Sequence, residues 1–173
     1  MAFLRPNYAK VVADLCKEQG GKPFLTDCNT LYPGSRKNAL EHLDCANLNG
    51  FNTITTGCQV IIADGIRGTD EVEVPVVNGE YCKTAYIGHA IMDADIFISL
   101  SHFKGHEATG FGGALKNIGM GCGSRAGKMQ QHASGKPAIN EELCRGCRRC
   151  AKECGSDAIS YPNKKAVIDY DKC

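Results

Sequence analysis

The chain has 173 residues, a formal net charge of +1, 43% apolar residues and 23% charged ones. That length suits one ordinary domain with a small appendage, and the composition is that of a folded globular protein. A charge balance this close to neutral gives no reason to expect nucleic acid or a membrane surface as partner. No apolar run approaches the roughly 20 residues that span a bilayer, and the start, "MAFLRPNYAK", lacks the apolar core of a secretory signal. The expected setting is the cytoplasm.

In chain order, "NYAKVVADLCKEQGG" spaces Val11, Val12, Leu15 and Cys16 as one helical face and stops on Gly20-Gly21. "KPFLTD" is a short apolar strand ending at Asp27. "SRKNALEHLDCANLNG" predicts a helix between a Ser cap and an Asn-Gly stop, with Leu40, Leu43 and Leu48 helically spaced. "QVIIADGIRG" reads as a strand buried on both faces that breaks at Asp64-Gly65. "EVEVPVVNGEYCKTAYI" alternates around Asn78-Gly79, a hairpin signal. "GHAIMDA" predicts a helical turn or two feeding a strand over "DIFISL". The glycine-rich "SHFKGHEATGFGGALKNIGMG" turns helical from about Gly113 to Ile118. This alternation predicts an α/β fold, a layered and mostly parallel sheet with helices and one antiparallel hairpin. Near residue 138 the character changes to a cysteine-rich tail, which divides the chain into 1–138 and 139–173.

Eleven cysteines in a chain of this size, without an export signal, point away from a disulfide framework. Six are scattered singly. Cys16, Cys28, Cys45, Cys58 and Cys82 read as small core hydrophobes, whereas Cys122, set between glycines, is a candidate reactive or metal-binding thiol. The other five are Cys144, Cys147, Cys150, Cys154 and Cys173. The first four spell C-x2-C-x2-C-x3-C, in which three thiols at a constant step let one tight loop wrap an iron–sulfur cubane. A zinc site takes two C-x2-C knuckles from separate hairpins, and a structural zinc in the tail is the alternative. Arg145, Arg148 and Arg149 lie between the thiols, where positive charge would raise a cluster's potential or else point into water.

A second constellation lies in "SLSHFKGHEATGFGGALKNIGMGCGSRAGK". Ligands of open α/β sheets bind beyond the carboxyl ends of the strands. On that rule Asp27, Asp64, Arg67, His102, Lys104 and His106 are expected to share one crevice. His102, Lys104 and His106 are the candidate catalytic groups. Gly112, Gly113 and Lys116 open a helix whose free N–H groups suit a small anionic substrate. The stretch is neither a P-loop, because Phe111 stands where Lys is required, nor a dinucleotide fingerprint, because Leu115 replaces the third Gly.

The tail "CGSDAISYPNKKAVIDYDKC" resembles the segment joining the halves of bacterial two-cluster [4Fe–4S] ferredoxins, with Gly155 where Pro is usual. The resemblance implies that Cys144, Cys147 and Cys150 hold one cluster while Cys154 and Cys173 belong to a second. Cys173 then reads as the first ligand of an interrupted motif, and the chain as a fragment whose intact form carries two clusters. Together, "PFLTDCNTLYPGSRKNALEHL", "VIIADGIRG" and the glycine–histidine string resemble domain-of-unknown-function family 362, uncharacterised iron–sulfur proteins. That resemblance implies an iron–sulfur cofactor and leaves the reaction open. One reading is an oxidoreductase component passing electrons to a small molecule in the crevice. The other is a non-enzymatic electron carrier or cluster-handling accessory that docks a redox partner protein.

Overall fold

The computed structural model describes residues 3–32, 34–132, 137–154 and 157–173. The chain divides into two compact units, Met1–His132 and Ala133–Cys173.

In the first unit, α1 (Pro6–Glu18) starts with Pro in its first turn and ends before Gly20, whose φ of 82° suits glycine. Its packed positions are Ala9 and Ala13, while Val11 and Leu15 are exposed. The expected inward face is therefore rotated, because two alanines let α1 approach the short α3 (Thr53–Thr56) closely. The strand β1 (Phe24–Asp27) pairs in parallel with β2 (Gln59–Ile62), Asp27 opposite Ile62. Between them, α2 (Ala39–Leu48) is capped by the Asn38 side chain, which accepts from the Glu41 N–H at 3.0 Å, so the cap is Asn38 and not the expected serine.

The hairpin at Asn78-Gly79 is present. β3 (Glu71–Pro75) and β4 (Thr84–Gly88) pair antiparallel, Pro75 opposite Thr84, and in the connection over 76–83 Asn78 takes the left-handed conformation (φ 61°) as the third residue of a turn that Gly79 N–H closes on Val76 O at 3.2 Å. One turn of helix, α4 (His89–Met92), follows. The expected strand over 95–100 is absent. No strand lies beside "DIFISL", and a strand without a neighbour has no ladder to form; Ile96 is 79% exposed. A small hairpin of β5 (Lys104–His106) and β6 (Gly110–Gly112) leads into α5 (Ala114–Cys122) and α6 (Arg125–His132). At the junction of these two helices Ser124 N–H donates to Tyr86 O at 2.9 Å, and Cys28 N–H donates to Gly121 O at 3.0 Å. Those two bonds bring the end of α5 against both β4 and the carboxyl end of β1.

The second unit holds α7 (Arg149–Glu153) and an antiparallel pair, β7 (Ile159–Ser160) and β8 (Val167–Ile168). The fold is thus mixed helix and strand, and among the described residues the sheets are four two-stranded pairs, one of them parallel. The expected mostly parallel layered sheet is represented by β1 and β2 alone. No described helix is long and apolar enough to cross a membrane.

Candidate functional site

The cysteine loop of the tail folds onto the turn between β7 and β8. Gly146 makes the tightest approach: its φ is 66°, and a Cβ there would lie 2.2 Å from Lys164 O. Arg148 is also left-handed (φ 61°), so the chain reverses twice between Cys144 and Cys150. Lys165 fastens the loop from the other side, donating to the carbonyls of Glu141 and Cys144, each at 2.7 Å.

Donors are aimed at the sulfurs. Ala166 N–H points at Cys144 Sγ (3.3 Å), Ala158 N–H at Cys154 Sγ (3.4 Å), and the Tyr161 hydroxyl lies 2.9 Å from Cys150 Sγ. The Ala166 and Gly146 N–H groups hold the Cys144 thiol below its ordinary pKa. Hydrogen bonds to a sulfur favour its thiolate, the form that binds metal, so the donor set fits an iron–sulfur cluster. Cys147 and Cys173 are exposed, the latter with its N–H on Asp169 O. Among the described residues no three His, Cys, Asp or Glu side chains are drawn to a single point.

At the carboxyl ends of β1 and β2, Asp27 and Asp64 do come together, in company that the sequence did not announce. Asp64 is fully buried and accepts from the backbone and side-chain N–H of Asn29 at 2.9 and 2.8 Å. Lys128, 6% exposed, donates to Gly123 O at 2.6 Å. The Cys28 thiol donates to Cys122 O at 3.3 Å, and a Cβ at Gly88 would fall 2.6 Å from that sulfur, so only glycine fits there. At the rim, Arg36 and His42 stand 3.7 and 3.8 Å from Asp27 Oδ2.

Burial dominates the electrostatics. It raises both carboxyls above their usual range, against the pull of Lys128, and it lowers Lys128, against Cys28 and the two aspartates. Desolvation, helped by Asp64, pushes the Cys28 thiol up to about 12, and Cys122 also rises through burial. His42 falls to about 4, chiefly by desolvation, with Arg36 and Lys128 adding to it.

The remaining expected crevice residues lie elsewhere. The Arg67 side chain is exposed, and its carbonyl accepts from Arg125 at 3.4 Å. On the β5–β6 hairpin, His106 Nε2 is 2.7 Å from Lys116 Nζ, and its Nδ1 accepts from the N–H of Ala108 and Thr109. Lys104 is exposed on the same hairpin, and His102 Nδ1 is buried without a partner among the described residues. Gly112 and Gly113 lead into the first turn of α5. This group and the aspartate cluster occupy opposite ends of α5, a helix about 13 Å long. Sequence reasoning missed Lys128, Asn29 and His42.

A tight thiol loop with N–H donors on its sulfurs defines an iron–sulfur protein, and residues 137–160 match the 4Fe-4S binding domain. Residues 1–145 match the domain of unknown function DUF362, and the chain belongs to that family. No curated protein and no solved structure matches it.

Proposed function

We propose that the chain takes part in electron transfer through [4Fe–4S] clusters, its five tail cysteines contributing ligands to two of them, and that it serves a small anionic molecule bound beside the Gly112–Gly113 turn at the start of α5. The observation that carries this reading is the Cys144–Cys154 loop with its sulfur-directed donors. Cys144, Cys147 and Cys150 hold one cluster, and Cys154 and Cys173 contribute to the other. When bound, such a cluster accepts and releases one electron at a time. The protein's own residues stabilise the thiolate ligands and fix the loop through Gly146 and Lys165.

In the α/β unit, Asp27 is the half-exposed member of its cluster, and its raised pKa suits it to hold a proton at Oδ2. Lys104 and Lys116, with the Gly112–Gly113 turn, supply cationic and N–H donors for the anion, and His106 lies 2.7 Å from Lys116 Nζ.

The test is anaerobic reconstitution of the full chain, followed by iron and sulfide analysis and electron paramagnetic resonance after reduction. Equal iron and sulfide with a reducible signal is expected, whereas a colourless protein with stoichiometric zinc would overturn the reading. A second reading, an electron carrier for a redox partner protein with no substrate of its own, is favoured by the internal pairing of Asp64 with Asn29 and of Lys128 with Gly123 O. His102→Ala and Lys104→Ala decide between the two: loss of anion binding supports the crevice, and unchanged binding supports the carrier.

A further inference from the structure

Tyr161 follows β7 directly, and its hydroxyl oxygen stands 2.9 Å from Cys150 Sγ. Between a phenol and a free thiol either group can donate. Once Cys150 is a metal-bound thiolate it carries no proton, and the direction is forced: Tyr161 donates and the sulfur accepts. The Arg148 guanidinium lies over the same ring, 5.5 Å from its centroid. A cation on the ring face draws density from the phenol and strengthens its O–H as a donor. Arg148 is held there by its left-handed backbone at the start of α7, two residues before Cys150. One short segment therefore supplies both the sulfur and the cation, and Tyr161 sits between them.

The donors on Cys144 and Cys154 come from the backbone, through Ala166 and Ala158, whereas the donor on Cys150 is a side chain. This hydrogen bond can be removed without disturbing the main chain. Electron density withdrawn from a ligating sulfur favours the reduced cluster, which carries one more negative charge.

We propose that Tyr161 is a positioning residue that raises the reduction potential of the cluster held by Cys144, Cys147 and Cys150, and that Arg148 reinforces it. The proposal rests on Cys150 being a cluster ligand. It goes beyond cluster binding by naming a residue that sets how readily the electron is accepted.

The experiment is redox potentiometry, followed by electron paramagnetic resonance, on the anaerobically reconstituted full chain and its Tyr161→Phe variant. Losing one hydrogen bond to a charged acceptor is expected to lower the reduced-to-oxidised ratio at a fixed potential about tenfold, which for one electron is a downward shift of about 59 mV. Arg148→Gln should shift the midpoint in the same direction by less. Iron and sulfide content is measured on every sample. A fully loaded Tyr161→Phe protein with the wild-type midpoint would overturn the proposal while leaving cluster binding intact. A wild-type chain that takes up no iron would overturn both. If Tyr161→Phe fails to load, fluorotyrosine at position 161, a stronger donor of the same shape, replaces it as the test. An upward shift then supports the proposal, and an unchanged or lowered midpoint refutes it.

Discussion

His42 offers the sharpest quantitative check on the strand-end cluster. Its imidazole is 6% exposed and meets the Arg36 and Lys128 charges, so the folded chain holds it neutral, with a pKa of about 4 against an ordinary 6.5. The unfolded chain takes up a proton as the pH falls through 6.5, whereas the folded chain resists until about 4. The group's contribution to stability is therefore present in full above 6.5 and is lost as the pH falls toward 4. At 1.36 kcal/mol per unit, the loss between pH 7 and pH 5 is about 2 kcal/mol. Asp27 and Asp64, whose folded pKa values are raised, act with the opposite sign, gaining stability as the pH falls through those values. Wild type alone is thus ambiguous, and a difference is required. Urea unfolding of wild type and His42→Gln at pH 7 and pH 5 should show wild type losing about 2 kcal/mol more than the variant. The rival view is that Asp27, 3.8 Å from Nε2, captures the imidazolium and raises its pKa. An imidazole resonance that titrates at or above 6.5 by nuclear magnetic resonance would refute the desolvation argument.

Three further outcomes follow from the same geometry. Cys147→Ser should lower the visible absorption and the iron content of the reconstituted protein together, by the share of the cluster that Cys144, Cys147 and Cys150 hold, whereas Cys58→Ser, at a buried position outside the loop, should leave both unchanged. Gly146→Ala forces a Cβ into the left-handed region and to 2.2 Å from Lys164 O; a cost of at least about 1–2 kcal/mol should appear as faster iron release to a chelator. Lys128→Met leaves Asp64 buried without its cationic neighbour; a loss of about 3 kcal/mol in urea unfolding is expected, with partial recovery when Asp64→Asn is added.

Much of the local structure was legible. The Asn78-Gly79 turn, the apolar runs that became β1 and β2, and the Gly-Gly stop of α1 are short-range signals, and each formed where the pattern placed it; β2 is not buried on both faces as expected, because its one strand neighbour leaves Gln59 and Ile61 exposed. Long-range matters were not legible. "DIFISL" carries a strand's composition, but composition does not provide a partner strand. Leu40 and Leu48 are exposed while Ala39 and His42 are buried on the same helix, because closeness of approach rather than size decided the packed face. Lys128 sits in "RAGKMQQH", a polar run that reads as a solvated helix. It is buried because Ser124 and Gly127 set that helix against Tyr86, a contact across 38 residues of sequence for Ser124. The cysteine spacing, by contrast, is itself a local signal, and for that reason the loop was readable from the sequence.

The two units treat sulfur in opposite ways. In the α/β unit, Cys28 and Cys122 are buried beside carboxylates, and both influences hold the proton on the sulfur. A thiol kept protonated in this way neither binds iron nor attacks an electrophile at neutral pH. In the tail, Cys144 and Cys154 are only partly covered, and backbone N–H groups face them, an environment made for a negative sulfur. The expectation that Cys122 is the reactive member of the scattered set thus meets an environment that favours its neutral form. The backbone around the tail loop favours a charged sulfur, and the burial around Cys28 and Cys122 favours a neutral one.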